Sequence, residues 1–340
     1  MKIVNPDARL IEHNVHPYTF IERVGRTCYK SEDKITNDSA VRFVSMLAKK
    51  QHGAMMEHEY LYFKFENSED IHRFIKNLIN IDDKNIDLLK YINIQNAWMS
   101  ASFRAWIEFF ANIAKINEKY RNDNVKGFDV NIYAYMLKIL NTAYPEVFVS
   151  PSEYGWTINN PQMLIFPMDR NALINDIKTT IPDIKEHDDI ISILLPHTVL
   201  FVCDRGVSHE FVRHRPASFG QESTRYCNYT NGQFGGDITV IKPMFYEEGS
   251  LSYKTWEMNC RVCEQTYIDL INYGSTPQEA RSILPNSLKT EIFITATEKE
   301  WQHIVNLRYH GTTGAPHPQM KEVMAIAYPQ LVNASENRIK

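Results

Sequence analysis

The chain has 340 residues, of which 44% are hydrophobic and 23% charged, and its formal net charge at pH 7 is -4. This size supports one large domain, or a core domain with an insertion, and a sizeable buried core. The negative charge excludes a general polyanion binder, because such proteins carry excess basic charge. We expect neither a signal peptide nor a membrane span, because no apolar run is long enough. Five cysteines, an odd number, indicate reduced thiols and a cytoplasmic protein.

The N-terminal part of the sequence predicts two helices followed by a strand. Tyr18–Tyr29 and Ser39–Lys50 have the apolar spacing of amphipathic helices. Gly53 is suited to close the second helix in a left-handed conformation. In Glu57–Glu66 apolar residues occupy every second position, which predicts a half-buried strand.

The composition changes between about residues 82 and 186, where Asn, Ile, Lys and Tyr become more frequent. Ser102–Asn117 and Asn131–Ala143 have helical spacing, so this stretch is predicted to be mostly helical. We interpret it as an insertion into one domain that covers the whole chain, 1–340, and is built from residues 1–81 and 187–340.

Strand and helix patterns are segregated rather than strictly alternating, which predicts an α+β fold with a mixed or antiparallel sheet flanked by helices. Ile190–Val202 is an apolar run rich in β-branched residues, and it predicts a strand with Pro196 near its start or at an edge. Cys260 and Cys263 form a lone CxxC without a second pair, so we interpret them as ordinary helix residues.

The last third of the chain carries two helix-start signals. Thr276–Glu279 is a capping box with proline at the first helical position. Thr290–Thr297 reads as a strand, and Thr297–Glu300 is a second capping box that opens a helix over Trp301–Arg308. A final helix is predicted over Pro318–Gln330.

The most unusual segment is Arg213–Tyr226, which contains three arginines, a histidine and two serines but hardly any aliphatic residue. Guanidinium groups and hydroxyls together make an anion site. In a mildly acidic chain, this cluster points to a small anionic ligand rather than to a nucleic acid. The alternative is a solvated or salt-bridged loop, in which the arginines face water or pair with carboxylates such as Glu210 and Glu222.

The triplet Arg213–Arg215 has a further implication if its backbone is extended. Both arginines would then point to one side and His214 to the other, because side chains alternate along a strand. Like charge from two guanidiniums should lower the pKa of His214, which leaves the ring neutral for stacking or hydrogen bonding. Ser223 and Arg225 share the same alternate spacing and could grip one phosphate.

This spacing, Arg-His-Arg followed by seven residues and a serine, resembles the signature of the flavin-dependent thymidylate synthases, the ThyX family. The resemblance covers about Phe20–Glu66 and Ile190–Gln330, so the stretch between them is a long insertion relative to short family members. Three further segments carry it: Gln51–His58, Ser275–Arg308 and Pro318–Val323.

The resemblance implies an enzyme, a methyltransferase that converts dUMP to dTMP. Family members use methylenetetrahydrofolate as the carbon donor, reduced FAD as the hydride carrier and NADPH as the reductant, without a cysteine nucleophile. They are homotetramers whose active sites draw on several subunits. We therefore expect dUMP and folate as ligands, a homotetramer, and neither a nucleic-acid partner nor a membrane.

The resemblance also implies roles for individual residues. Arg308, the catalytic residue, would sit against the uracil and stabilise its N3-deprotonated form, since a nearby charge shifts a pKa by ~1–3 units. Contacts to FAD are implied for Arg213, His214, Arg215, Gln221, Glu57, His303 and Thr297. Contacts to dUMP are implied for Glu210, Arg213, Gln221, Ser223, Arg225, Arg281 and Arg308. No metal site is predicted, because His52 and His58 lack a third ligand with clear spacing.

Some positions depart from the family pattern and keep alternatives open. Gly220 and Gln221 stand where Asn-Glu is common, and Thr297 stands at a position that is often Asn. A relative that methylates another pyrimidine base, or one that binds FAD and nucleotide without catalysis, fits the same motifs.

Individual arginines also have structural alternatives. Arg281 could be a helix-surface residue, and Arg308 could have the purely structural role of opposing a helix macrodipole. A nucleic-acid-binding protein is a further alternative, but it predicts a basic chain.

Overall fold

A computed structural model describes residues 1–79, 87–122, 130–159, 163–230 and 236–340. Within these ranges the fold is α+β, as predicted, with mainly antiparallel sheets, one two-stranded parallel sheet and flanking helices. In the described part of the chain, no helix is both long and apolar enough to cross a membrane. The chain divides into a first unit (Met1–Val15, Glu22–Asn37 and His197–Lys340) and a second unit (His16–Ile21 and Asp38–Pro196).

The described secondary structure is as follows. The strands are β1 (Lys2–Val4), β2 (Asp7–Ile11), β3 (Tyr60–Phe65), β4 (Asn93–Gln95), β5 (Trp98–Ser102), β6 (Ile165–Met168), β7 (Pro196–Asp204), β8 (Ser218–Gln221), β9 (Thr239–Ile241) and β10 (Lys289–Thr297). The α-helices are α1 (Pro17–Cys28), α2 (Ser39–Lys49), α3 (Ser68–Ile79), α4 (Phe103–Asn122), α5 (Asn131–Ala143), α6 (Arg170–Thr180), α7 (Ile184–Leu194), α8 (Arg205–Phe211), α9 (Leu251–Asn272), α10 (Pro277–Ala280), α11 (Glu298–Val305) and α12 (Pro318–Ala334).

The first unit is built on a four-stranded sheet in the order β2-β7-β10-β8. Strand β2 is antiparallel to β7, and β8 is antiparallel to β10 with Phe219 opposite Ile294. Trp301 of α11 and Met324 of α12 lie in the same buried apolar cluster as Ile294. Burying an apolar side chain of this kind stabilises the folded state by about 1.5–3 kcal/mol. The sheet and these two helices therefore form a stable core that positions the segments connecting them.

The second unit contains a four-stranded antiparallel sheet in the order β4-β5-β3-β6. The strand predicted within Glu57–Glu66 is confirmed as β3, but its half-buried character is wrong. Tyr62 and Phe63 point to opposite faces, yet both are buried, in two different apolar clusters. An interior strand covered on both faces does not need the polar face that its alternating sequence suggested.

The predicted helices at the N-terminus are confirmed as α1 and α2, but the turn after α2 differs from the prediction. Gln51, not Gly53, has the left-handed conformation, with φ of 54°. Gly53 instead begins a 3-10 helix, Gly53–His58. A Cβ atom at Gly53 would lie 2.9 Å from Cδ of Arg104, so glycine is needed there for close approach rather than for capping.

The strand predicted over Ile190–Val202 is only partly correct. Its first residues belong to α7, which begins after Asp183, whose side chain accepts a hydrogen bond from the Glu186 amide. Strand β7 starts at Pro196, in the position predicted for that proline. A short apolar run does not distinguish a buried helix from a strand, and the cap decides in favour of the helix.

The C-terminal predictions agree well with the structure. The capping box at Thr276 is formed in both directions, β10 and α12 are present, and Cys260 and Cys263 lie in α9 as free cysteines. Between 87 and 186 the described residues form helices together with β4, β5 and β6, which the sequence did not predict. The single-domain reading and the insertion boundaries stay predictions, and position 82 lies outside the described residues.

Candidate active site

Helix α8 brings Glu210 to the candidate site. Asp204, the last residue of β7, caps this helix, because its Oδ1 accepts a hydrogen bond from the Val207 amide at 2.7 Å. Its second oxygen accepts from Nε2 of Gln319 at 2.7 Å, which ties the cap to α12. The helix ends at Phe211, so Glu210 lies on its last turn.

The triplet Arg213–Arg215 is a turn, so the condition of an extended backbone is not met. The amide of His214 donates to the carbonyl of Phe211 at 3.0 Å, which continues the curvature of α8, and β8 begins only at Ser218. The two arginines are exposed, whereas His214 is only 5% exposed. The opposite placement of arginines and histidine is therefore observed, although a turn produces it.

Arg308 is held by two partners of the first unit. Its Nε donates to Nε2 of His214 at 2.9 Å, and its Nη1 donates to Oε2 of Glu210 at 2.8 Å. A guanidinium has no acceptor atom, so Nε2 of His214 must be the acceptor. The imidazole is then neutral and carries its hydrogen on Nδ1.

The pKa of His214 agrees with that arrangement. Burial, followed by the positive charge of Arg308 and by His303, lowers the pKa of His214 to about 4. The predicted direction is confirmed, but the predicted cause is wrong. The exposed Arg213 and Arg215 are not the source of the shift, whereas burial and a residue ninety-four positions away in sequence are.

The backbone around Arg308 is a widened turn. The predicted helix Trp301–Arg308 ends as α11 at Val305, and the π-helical turn Asn306–His310 follows. Gly311 ends this turn with φ of 71°, and a Cβ atom there would lie 3.0 Å from the carbonyl oxygen of Gly314. Single π-helical turns are frequent at functional sites, and this one carries the Arg308 guanidinium to His214 and Glu210.

A second cluster of charge forms around Thr224. Arg281 Nη1 donates to Oγ1 of Thr224 at 3.4 Å, and the backbone amide of Arg225 donates to Oγ of Ser223 at 3.3 Å. The Arg225 guanidinium lies 5.3 Å from the centroid of the Tyr226 ring. Ser223 and Arg225 thus flank Thr224 along the chain, and Arg281, the third predicted nucleotide contact, reaches Thr224 from a distant segment.

The salt-bridged form of the alternative is not observed among the described residues, whereas a solvated loop stays open. Glu210 pairs with Arg308, and Glu222 is 3.3 Å from Nζ of Lys289 and 3.8 Å from Nζ of Lys30. Besides Arg308, four arginines are predicted to bind an anion. Within the described ranges, none of these four forms an ion pair. These are Arg213, Arg215, Arg225 and Arg281.

Three other predicted site residues already have protein partners. Nε2 of Gln221 donates to Oγ of Ser208 at 2.8 Å and to Oγ1 of Thr290 at 3.2 Å, so its carbonyl oxygen is the group left for a ligand. Glu57 belongs to the second unit, where it accepts from Nη1 of Arg104 at 2.6 Å. Thr297 caps α11 by accepting from the backbone amide of Glu300.

The sequence reading missed Glu300 as a site residue, because it was assigned to a capping box. Its Oε1 is buried without a hydrogen-bond partner, and burial raises the pKa of this carboxyl to about 7. One donor atom each from Glu300, His303 and His214 lie within 4.8 Å of one another. The three-residue spacing of Glu300 and His303 on a helix was the available signal, because it places both on one face.

Comparison with known proteins identifies the part of the chain that contains this site. Residues 193–332 match the family model described as "Thymidylate synthase complementing protein". Over this segment the chain is similar to the flavin-dependent thymidylate synthases. The predicted family resemblance is therefore confirmed.

The curated relatives match this chain over segments of similar length, each about a third of the chain. The flavin-dependent thymidylate synthase of Thermococcus onnurineus is 32% identical over 119 residues, which are 34% of this chain and 48% of the relative. The enzyme of that name from Geobacter sulfurreducens is 31% identical over 104 residues, 31% of this chain and 43% of the relative. The chain thus spans about half the length of these relatives.

One solved structure aligns over nearly the full chain, but weakly. The UMP/dUMP methylase PolB from Streptomyces cacaoi, bound with 5-Br dUMP, covers 99% of this chain and 96% of its own, at 12% identity and a TM-score of 0.38. A likeness at that level carries no argument about fold or function.

Proposed function

We propose that this protein is a flavin-dependent thymidylate synthase, a methyltransferase that converts dUMP to dTMP. Methylenetetrahydrofolate would be the carbon donor, reduced FAD the hydride carrier and NADPH the reductant. The observation that carries the proposal is the placement of Arg308, fixed between Glu210 and a neutral His214 in the segment that matches the family.

The residues around His214 fit a flavin dinucleotide. Arg213 and Arg215 are exposed and make no ion pair with a described residue, and guanidinium groups bind pyrophosphate oxygens as bidentate donors. A bound reduced FAD would supply the hydride. We assign FAD binding to Arg213, His214 and Arg215. The further flavin contacts that we propose from the family resemblance are Gln221, Glu57, Thr297 and His303.

The cluster around Thr224 fits the phosphate of dUMP. Arg225 and Arg281 offer charge without a carboxylate partner in the described ranges, and the Ser223 hydroxyl can donate to a remaining phosphate oxygen. Charge-assisted hydrogen bonds of this kind contribute about 1.5–3 kcal/mol each. We propose Glu210 and Gln221 as additional contacts to the nucleotide, together with Arg213.

Arg308 would act on the uracil ring. Its guanidinium is already oriented by Glu210 and His214, so no reorganisation is needed when negative charge develops on the base. An adjacent fixed cation lowers the pKa of a group by ~1–3 units, which favours uracil deprotonated at N3. Deprotonation raises the electron density at C5, the carbon that attacks the one-carbon unit. The neutral His214 is essential to this arrangement, because a protonated ring would repel Arg308.

A homotetramer with active sites shared between subunits is part of the proposal, carried by the family resemblance. The arginines that lack ion pairs within the described chain are suited to ligands held at such a boundary. A measured tetrameric mass for the flavin-loaded protein is the expected result.

The test is tritium release from dUMP labelled at C5, with methylenetetrahydrofolate and NADPH. We expect a yellow protein that releases tritium and forms dTMP in equal amounts. Turnover of another pyrimidine nucleotide without release from dUMP would replace the proposal with a methylase of different base specificity. Binding of FAD and dUMP without any turnover would identify a non-catalytic relative.

A further inference from the structure

Helix α11 and the turn before β8 bring together three metal-binding side chains. Glu300 and His303 are three residues apart on one face of α11, and His214 comes from the turn. Their donor atoms lie within 4.8 Å of one another. Two imidazoles and one carboxylate are a recurrent ligand set for Zn²⁺ and Fe²⁺ sites that keep open positions.

The distances allow a metal ion after small side-chain rotations. Ligand atoms at about 2.0–2.2 Å from Zn²⁺ are about 3.3 Å from one another in tetrahedral geometry. Moving the three ligand atoms closer together breaks no hydrogen bond of Glu300 Oε1, because this buried atom has none. The Arg308 charge opposes metal binding, and its ion pair with Glu210, 2.8 Å away, offsets it only in part.

We propose that His214, Glu300 and His303 form an inhibitory site for a divalent transition metal of the Zn²⁺ type. Its key consequence concerns His214, whose Nε2 accepts from Arg308 at 2.9 Å. Metal at Nε2 would displace the guanidinium directly. Metal at Nδ1 would move the ring hydrogen to Nε2, which then no longer accepts. In either case metal binding and the Arg308–His214 hydrogen bond exclude each other.

Metal binding would therefore disturb the residue that we assign to the uracil, and it would occupy two residues that we assign to the flavin. The inhibition rests on the proposed function, whereas the binding itself does not. The experiment separates the two by measuring metal affinity without any nucleotide substrate.

The binding test is isothermal titration calorimetry of Zn²⁺ into the chelator-treated protein. We expect one ion per chain, with affinity reduced in Glu300→Gln and His303→Asn. Changes outside the ligand set already cost about 10–100-fold in metal affinity, so loss of a ligand should cost at least about tenfold. Arg308→Gln should bind Zn²⁺ more tightly, because it removes both the competing hydrogen bond and the positive charge.

The matched control is His72→Ala. His72 follows Glu69 by three residues on the exposed face of α3, with the same Glu-x-x-His spacing as Glu300 and His303. It should leave Zn²⁺ affinity unchanged. Absence of binding, or binding that Glu300→Gln and His303→Asn leave intact in folded protein, would overturn the metal site.

The inhibition test is tritium release from dUMP at increasing Zn²⁺. Half-inhibition should fall at the Kd that calorimetry gives at the same FAD concentration, and a clear mismatch would overturn the inhibitory role. Should dUMP give no turnover at all, the proposed function fails while the calorimetric result stands on its own.

Discussion

Arg308 and the pair Arg225 and Arg281 lie in the same unit but differ in what surrounds them. Arg308 already has a carboxylate and an imidazole partner, and its side chain is 20% exposed. Arg225 and Arg281 are exposed and have no carboxylate partner within the described chain. The contrast teaches that ion pairing separates arginines that are fixed before a ligand arrives from arginines that the ligand itself must neutralise.

Arg338 extends the comparison to a purely structural arginine. Its Nε and Nη2 donate to Glu298 at 2.7 and 3.0 Å, and Glu298 also accepts from His197 at 2.8 Å. Both members of the ion pair are almost fully buried, at 4% and 1% exposure. This network fixes the C-terminal residues against the start of α11.

The largest effect is expected for Arg338→Met, which leaves a buried carboxylate without its main partner. Breaking such a pair costs about 3–5 kcal/mol in the free energy of unfolding. Urea denaturation measures this loss. The control is Arg9→Met, because Arg9 pairs with Asp7 on the surface, where ion pairs contribute about 0–1 kcal/mol. Equal losses in both variants would erase the distinction between buried and exposed arginines.

The same network predicts how stability depends on pH. Burial alone would raise the pKa of Glu298, but hydrogen bonds from His197 and Arg338 lower it below 4.5. A group with a lowered folded pKa stabilises above its unfolded pKa and loses that contribution as pH falls through the folded value. Unfolding free energy should decline below about pH 4.5 in the wild type, and less so in Glu298→Gln.

Arg308→Ala should reduce kcat by about 100–1,000-fold, the usual cost of removing one preorganised donor. Flavin content, measured by absorption, should stay near that of the wild type, since Arg308 is not assigned to FAD. Full activity in this variant would show that a fixed arginine is not the uracil-facing group.

Arg281→Ala should weaken dUMP binding by about 10–100-fold, seen as a higher KM with kcat little changed, because a phosphate contact is equally strong in the ground and transition states. Arg261→Ala is the matched control. That arginine is also exposed, but Glu257 already pairs with it at 2.7 Å. A loss of kcat at constant KM in Arg281→Ala would contradict a role confined to binding.

The smallest effect is expected for Arg213→Ala, which removes one of several flavin contacts. The affinity for FAD should fall by about tenfold, which corresponds to the loss of one charge-assisted hydrogen bond. Fluorescence of released flavin on dilution measures it. A variant that keeps its flavin but loses dUMP affinity would rule out the FAD contact and leave Arg213 only its proposed contact to the nucleotide.

The sequence predicted the elements whose signals are local. The Thr276 capping box, β10 and α12 depend on neighbouring residues, and all are present. The strand predicted through Ile190 is a helix at its start because Asp183 caps it. β5 and β6 were missed because both pair with β3, which is distant in sequence. β4 was missed although its partner β5 follows it closely along the chain.

The candidate site shows the same division. The motif spacing made Arg213–Arg215 a candidate functional segment, but it did not predict the turn conformation, which follows from hydrogen bonds to the end of α8. The neutral state of His214 was expected, but its cause lies in tertiary contact with Arg308. Glu300 was hidden because a glutamate three residues after threonine has an adequate local explanation.

The π-helical turn at Asn306–His310 makes the site sensitive to chain length. Successive residues in an α-helix are rotated by about 100°, so loss of one residue from the wide turn would restore regular winding and swing the Arg308 side chain away. Because the core of α11 ends at Val305, such a deletion would leave the buried helix intact. Deletion of a single residue from this turn would thus abolish activity while the protein remains folded and stable.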